Sequence, residues 1–160
     1  MVITNFFKKL IPKNGFLPKN GCLPKINKRN RTGQKLFRDK LIAKFINCPL
    51  DNIHYKLCEA AHILPYSDCK NKKDKFNVNN GILLSSTMHK AFDRNLFTID
   101  EKTCKVRILE KNILKLQEPK KNKIKLEELG LDKIKDKYIK LLDNTESKEY
   151  LKKRNKNLIK

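Results

Sequence analysis

The stretch Glu59–Asp93 reads EAAHILPYSDCKNKKDKFNVNNGILLSSTMHKAFD. It holds two of the chain's three histidines, His62 and His89. Asn79-Asn80-Gly81 and an apolar run lie between them, and Asp93 follows His89 by four residues. Leu57 to Ile63 patterns as a short strand carrying His62, after another short strand at Ile53 to Tyr55. The polar, lysine-rich residues 65 to 77 read as a loop, and Gly81 to Leu84 as a second apolar segment. Ser85 or Ser86 is a candidate cap for a helix through Met88, Ala91 and Phe92 to about Arg94. On that helix His89 and Asp93 share a face.

Working outward, Leu36, Phe37, Leu41, Ile42, Phe45 and Ile46 fall at helical spacing, with charged residues between them. This predicts an amphipathic helix over Gln34 to Asn47, with Thr32 as a candidate cap. Cys48-Pro49 stops it, because a residue before proline avoids the helical region. Downstream, Leu96 to Asp100 and Cys104 to Leu109 alternate around a polar turn, which predicts a β-hairpin. Leu126, Leu129, Ile134, Tyr138, Leu141 and Leu142 recur at three- and four-residue steps, so helices are expected there, interrupted at Gly130. Residues 147 to 160 are basic and read as frayed. Residues 1 to 34 contain no acidic residue, and Pro12, Pro18 and Pro24 recur every six residues. That spacing blocks helix and predicts an extended basic arm. Three parts follow: the arm over 1–34, a core over 35–109 and a basic helical extension over 110–160.

The 160 residues fit one compact domain with small appendages. Thirty-eight Lys and Arg against seventeen Asp and Glu give a net charge of +21, which favours a polyanionic partner. No apolar run approaches the ~20 residues that span a bilayer. The N-terminal apolar patch is broken by Lys8 and Lys9, with no cleavage site after it, so an intracellular protein without signal peptide is expected. The five cysteines are irregularly spaced and read as reduced thiols.

Imidazole plus carboxylate on one helical face suits a divalent ion with open positions for water and phosphate. A histidine beside such an ion could serve as base in phosphodiester hydrolysis if its ring is held in one tautomer. His62 is the candidate base. Asn80 is placed to accept its other N–H through a side-chain or backbone oxygen. His89 and Asp93 are the candidate metal ligands, and Lys90 and Arg94 the candidate phosphate contacts. Glu59 is set aside, since strand alternation points it away from His62. His54 has no partner at useful spacing.

Three motifs occur in order: Ala61-His62-Ile63-Leu64-Pro65, Asn80-Gly81-Ile82-Leu83-Leu84 and Met88-His89-Lys90-Ala91-Phe92-Asp93. Together they resemble the HNH endonuclease family, over roughly Lys35 to Leu109. The Phe37-Arg38 helix, Cys48 and the hairpin at Leu96 to Asp100 fit the same branch. The resemblance implies an α+β protein: a small ββα-metal core with a preceding helix, a following β-hairpin and C-terminal helices. It implies His62 as general base, Asn80 as its orienting partner and His89 as metal ligand. Asp93 stands where related nucleases place a further ligand. Many members carry an Asp or His just before the base, where this chain has Ala61, so fewer protein ligands are expected. The expected activity is metal-dependent DNA hydrolysis leaving 3′-hydroxyl and 5′-phosphate ends. Mg2+ or Mn2+ is the first choice of ion, and Zn2+ or Ni2+ the alternative. DNA is the expected partner, RNA is not excluded, and a double-strand cut would call for a homodimer.

Two rivals stand beside this reading. One is a nucleic-acid-binding module without catalysis, which the charge predicts equally well. The other is a structural zinc site built from Cys48, Cys58, Cys69 and His62, although the chain lacks the Cys-x-x-Cys pair that marks strong zinc sites.

Overall fold

A computed structural model describes residues 31–116 and 123–158. The basic arm expected over 1–34 therefore lies outside the described residues, except for its last four positions.

The first helix, α1, spans Arg31–Phe45. Phe37, Leu41 and Phe45 repeat every four residues along one stripe and are all buried. Each such side chain contributes on the order of 2 kcal/mol through burial. A helix of this length is marginal alone, so this stripe is what holds it. Thr32 lies inside the helix rather than capping it. Leu36 and Ile46, expected on the apolar face, are exposed. The helix stops at Phe45, where Ile46 takes a positive φ of 67°.

Strand β1 (Cys58–His62) pairs antiparallel with β2 (Gly81–Ser85), from Cys58↔Ser85 to His62↔Gly81. A two-stranded hairpin is marginal by itself. Here it is a middle layer, with α1 packed on it from one side and α3 (Ser86–Asp93) from the other. Every residue of β2 is buried, so the strand shows a continuous apolar run instead of alternation. Ser85 caps α3, its hydroxyl accepting from Met88 N.

Gly81 is where α1 comes closest. Its backbone is extended (φ −138°), so conformational freedom is not the reason for glycine. A Cβ at this position would sit 2.5 Å from Phe37 Cζ and 2.8 Å from Leu41 Cδ1. The missing side chain lets Phe37 lie across the end of the ladder, where it stacks on His62 at 4.6 Å between ring centroids.

The expected strand at Ile53 to Tyr55 does not form. His54 makes one isolated bridge with Asn47, and its Nδ1 then caps a 3-10 turn at Tyr55–Leu57. The loop over 65–77 contains a short helix, α2 (Lys72–Phe76), because the Asn71 side chain accepts from Asp74 N. The second hairpin is as expected: β3 (Phe97–Ile99) pairs with β4 (Val106–Ile108), and a short α4 (Glu110–Leu114) follows.

The C-terminal part departs most from expectation. Between Leu126 and Leu142 the chain makes turns and single 3-10 turns, not helices. Gly130 and Asp136 both have positive φ there, and Leu131, Ile134, Ile139 and Leu142 are still buried. The tail read as frayed is instead a helix, α5 (Thr145–Leu158), which buries Tyr150, Leu151, Arg154 and Asn155. Tyr150 and Leu151 join the same apolar cluster as the first hairpin. Among the described residues no helix is long and apolar enough to cross a membrane.

Gly81→Ala is expected to lower unfolding stability by about 1–3 kcal/mol, the usual range for overpacking a filled interior. Denaturant titration checks this; an unchanged midpoint would mean that α1 can move off the hairpin freely.

Candidate active site

His62 is the last residue of β1 and is half-buried. Phe37 stacks on one face of its ring, and Tyr66 meets it edge-on at 5.6 Å. Its Nε2 lies 2.8 Å from the carbonyl oxygen of Lys75. A carbonyl can only accept, so Nε2 carries the hydrogen and Nδ1 keeps its lone pair. A neutral ring held this way keeps one nitrogen able to accept a proton.

Asn80 was expected to accept this hydrogen. The structure gives that place to Lys75, because the Asn80 side chain is fully committed elsewhere. Its Oδ1 accepts from Leu64 N at 2.8 Å, and its Nδ2 donates to Asp74 O at 3.0 Å. Nδ2 also reaches Leu64 O and Cys69 Sγ. Asn80 is completely buried and ties three backbone segments together. One of those segments is the peptide just before Lys75, so Asn80 bears on His62 through the chain and not by touching it.

The α3 side is built around His89. Its Nδ1 lies 2.6 Å from Glu59 Oε2, and its Nε2 lies 3.3 Å from Asp93 Oδ2. Ser86 Oγ donates to the other oxygen of Glu59 at 2.7 Å. These bonds hold the Glu59 carboxyl below the usual carboxylate range, the serine bond most of all. Glu59, set aside from the sequence, is therefore part of this group. Alternation does turn it away from His62, and that same turn aims it at α3.

The Glu59 and Asp93 carboxylates thus face the two ring nitrogens of His89 from opposite sides. Without a hydrogen on Nε2, this nitrogen and the Asp93 oxygen would be two acceptors that a cation could bridge. With bonds of ~2.1 Å, two donor atoms at this separation subtend about 100° at an ion, an angle between adjacent coordination positions. The pair therefore fits a divalent ion. Among the described residues no group of three or more His, Cys, Asp or Glu is set to hold a metal. His62 therefore does not form such a group with His89 and Asp93. Both His89 and Asp93 nevertheless act electrostatically on His62, the first lowering and the second raising its pKa. Lys90 and Arg94 lie exposed on the outer surface of α3.

The cysteines behave as packed thiols. Cys58 donates to the carbonyls of Ile53 and His54, and Cys69 to those of Leu64 and Pro65. Burial raises the pKa of Cys58 and Cys69, and pushes Cys48 up to about 11. Protonated donors to carbonyls are the opposite of zinc-binding thiolates.

A helix packed on a two-stranded hairpin, with histidines on strand and helix, defines a ββα core. Residues 48–100 match the family model described as HNH endonuclease. A domain of this family suggests a nuclease, a hydrolase in general terms. No curated protein matches the chain. The matched segment includes His62, Asn80, His89 and Asp93, and also Glu59 and Lys75. It leaves out Phe37 on α1 and all of α5.

Burial, the largest influence, lowers the His62 pKa from the ordinary 6.5, with the Lys75 bond opposing it. The folded value lies below the unfolded one, so the folded state favours the neutral ring. The His62 contribution to stability is complete above the unfolded pKa and declines as pH falls through the folded one. An NMR titration should give a His62 midpoint below 6.5, with the hydrogen of the neutral ring on Nε2. A midpoint at or above the ordinary value would contradict the buried, carbonyl-bound ring.

Proposed function

We propose that the chain is a divalent-metal-dependent DNA endonuclease in which His62 is the general base. The observation that carries this is the tautomer of His62. Its Nε2–H is held by the Lys75 carbonyl, and Nδ1 is left with a lone pair. In the reaction, Nδ1 takes a proton from the attacking water. The Lys75 carbonyl keeps the ring from turning and stabilises the imidazolium that results. Phe37 supports the ring face and limits its rotation. Asn80 and α2 hold the Lys75 peptide in place, so they are positioning elements.

His89 Nε2 and Asp93 Oδ2 would hold the ion, and Glu59 would orient His89 and raise its basicity as a ligand. A divalent ion bound there would supply positive charge to the phosphate and the leaving oxygen. Mg2+ or Mn2+ suits a site with one imidazole and one carboxylate, with Zn2+ or Ni2+ as the alternative. Lys90 and Arg94 would contact phosphates beside the site. Their contribution would be affinity without sequence choice, weakening as salt rises. A monomer with one such site would nick DNA, and a double-strand cut would need two copies.

Nicking of supercoiled plasmid tests the reading. His62→Ala and His89→Ala should each lower the rate by about 100- to 10,000-fold, and EDTA should abolish cleavage. Cleavage by both variants at the wild-type rate would refute the assignment. Salt-sensitive binding that never leads to cleavage under any of the four ions would favour the binding module instead.

Glu59→Gln should raise the half-saturating metal concentration by about 10- to 100-fold, the usual cost of disturbing a ligand's partner. An unchanged metal requirement would leave Glu59 outside the site.

A further inference from the structure

We infer that Arg154, on the C-terminal helix α5 and outside the matched family segment, is a positioning residue that locks the base-bearing strand to the metal-bearing helix. The inference rests on the nuclease reading above. Arg154 Nη1 donates to Ile63 O at 3.2 Å, one residue beyond His62. Its Nη2 donates to Phe92 O at 2.6 Å, one residue before Asp93, and to Asn95 Oδ1 at 2.7 Å. The guanidinium lies 3.7 Å above the Phe92 ring centroid. A single planar fork therefore joins the end of β1 to the end of α3.

Arg154 is only 4% exposed, in a chain that carries many other basic groups at its surface. Among the described residues its Nε has no hydrogen-bond partner, a cost that a purely surface cation would avoid. Burial lowers its pKa to about 10, and the Asp93 carboxylate opposes the shift. The guanidinium is thus still charged at neutral pH. It sits against the last carbonyls of an eight-residue helix, where positive charge is favoured. Lysine could not reproduce this arrangement, because one ammonium cannot meet three divergent acceptors in a plane.

The same helix holds the other side of the base. Tyr150 OH donates to Asp74 Oδ1 at 2.7 Å, and Ser147 Oγ donates to Asn79 O at 3.0 Å. Glu146 Oε2 accepts from Asn79 Nδ2 at 2.6 Å. These bonds fix α2 and the turn before β2, and so the Lys75 carbonyl that orients His62. One face of α5 thereby supports both the tautomer of the base and its placement relative to His89 and Asp93.

The test compares wild type with Arg154→Met, Arg154→Lys and Asn95→Gly, all in the full chain. Asn95 has a positive φ of 54°, so glycine keeps the backbone and removes only the acceptor. Four quantities are measured: thermal unfolding, DNA affinity in EDTA, Mn2+ affinity without DNA by electron paramagnetic resonance, and kcat for nicking at saturating DNA. Arg154→Met, folded at the assay temperature, should lower kcat by about 10- to 100-fold and weaken Mn2+ binding, with DNA affinity within about twofold of wild type. Arg154→Lys should recover less than a tenth of the lost rate. A folded Arg154→Met protein with wild-type kcat and Mn2+ affinity would overturn the inference. If Arg154→Met does not fold, Asn95→Gly decides. A loss of about threefold or more in kcat in a folded protein supports the lock, and an unchanged kcat overturns it. Nicking by wild type that His62→Ala abolishes upholds the nuclease reading, so a normal Arg154→Met result then sinks this inference alone. A wild type that never nicks sinks both.

Discussion

The hydrogen bond from His62 Nε2 to the Lys75 carbonyl is the constraint on which the rest of the structure turns. An imidazole is symmetric enough to present either nitrogen to a substrate, and only one choice makes a base at a defined point. A backbone carbonyl makes that choice firmly, because it cannot donate in return. The bond exists only if β1 ends where it does and the short helix α2 sits above that end. The register His62↔Gly81 meets the first condition, and the Asn71 cap and the Asn80 cross-links meet the second.

Buried polar side chains do much of the fastening in this small α+β fold, and backbone carbonyls are prominent among their partners. Asn80, Arg154 and Asn155 are all buried, and each joins segments distant in sequence. A hairpin of two five-residue strands has too little apolar area to hold its flanks by burial alone. Directional bonds add what apolar packing lacks, which is a defined orientation of neighbouring elements. The same geometry explains the quiet role of the thiols, which fill space and donate to carbonyls. The large positive charge of the chain belongs to a different layer of the design. Among the described residues Lys90 and Arg94 carry such charge at the exposed surface.

The parts of the site that could be read from sequence were those carried by local spacing. His89 and Asp93 share a face because they are four residues apart on a helix, and the structure places them 3.3 Å apart. The β3–β4 hairpin and the α1 stripe of Phe37, Leu41 and Phe45 were legible for the same reason. Glu59 was misjudged because alternation along β1 shows which side a residue faces, but not what waits there. Lys75 carried no signal at all, since it acts through its backbone oxygen and any residue type would do. The helix α5 was hidden because its buried face includes Arg154 and Asn155, which read as solvent-facing until their carbonyl partners are known. Asn80, expected to bond His62 directly, has Leu64, Cys69 and Asp74 as its partners instead.

By itself the sequence determined the ββα class of the core, the identity of the histidines within it and the pairing of His89 with Asp93. These follow from periodicity and short motifs, whose physics acts over a few neighbouring residues. Only the tertiary structure decided which nitrogen of His62 is free, which carboxylate meets His89, and that Phe37 and Arg154 contact His62, Ile63 and Phe92 from outside the matched segment. Those outcomes depend on contacts between residues far apart in the chain. They also depend on backbone groups that every residue shares, and no pattern of side chains along a sequence can record where such groups will meet.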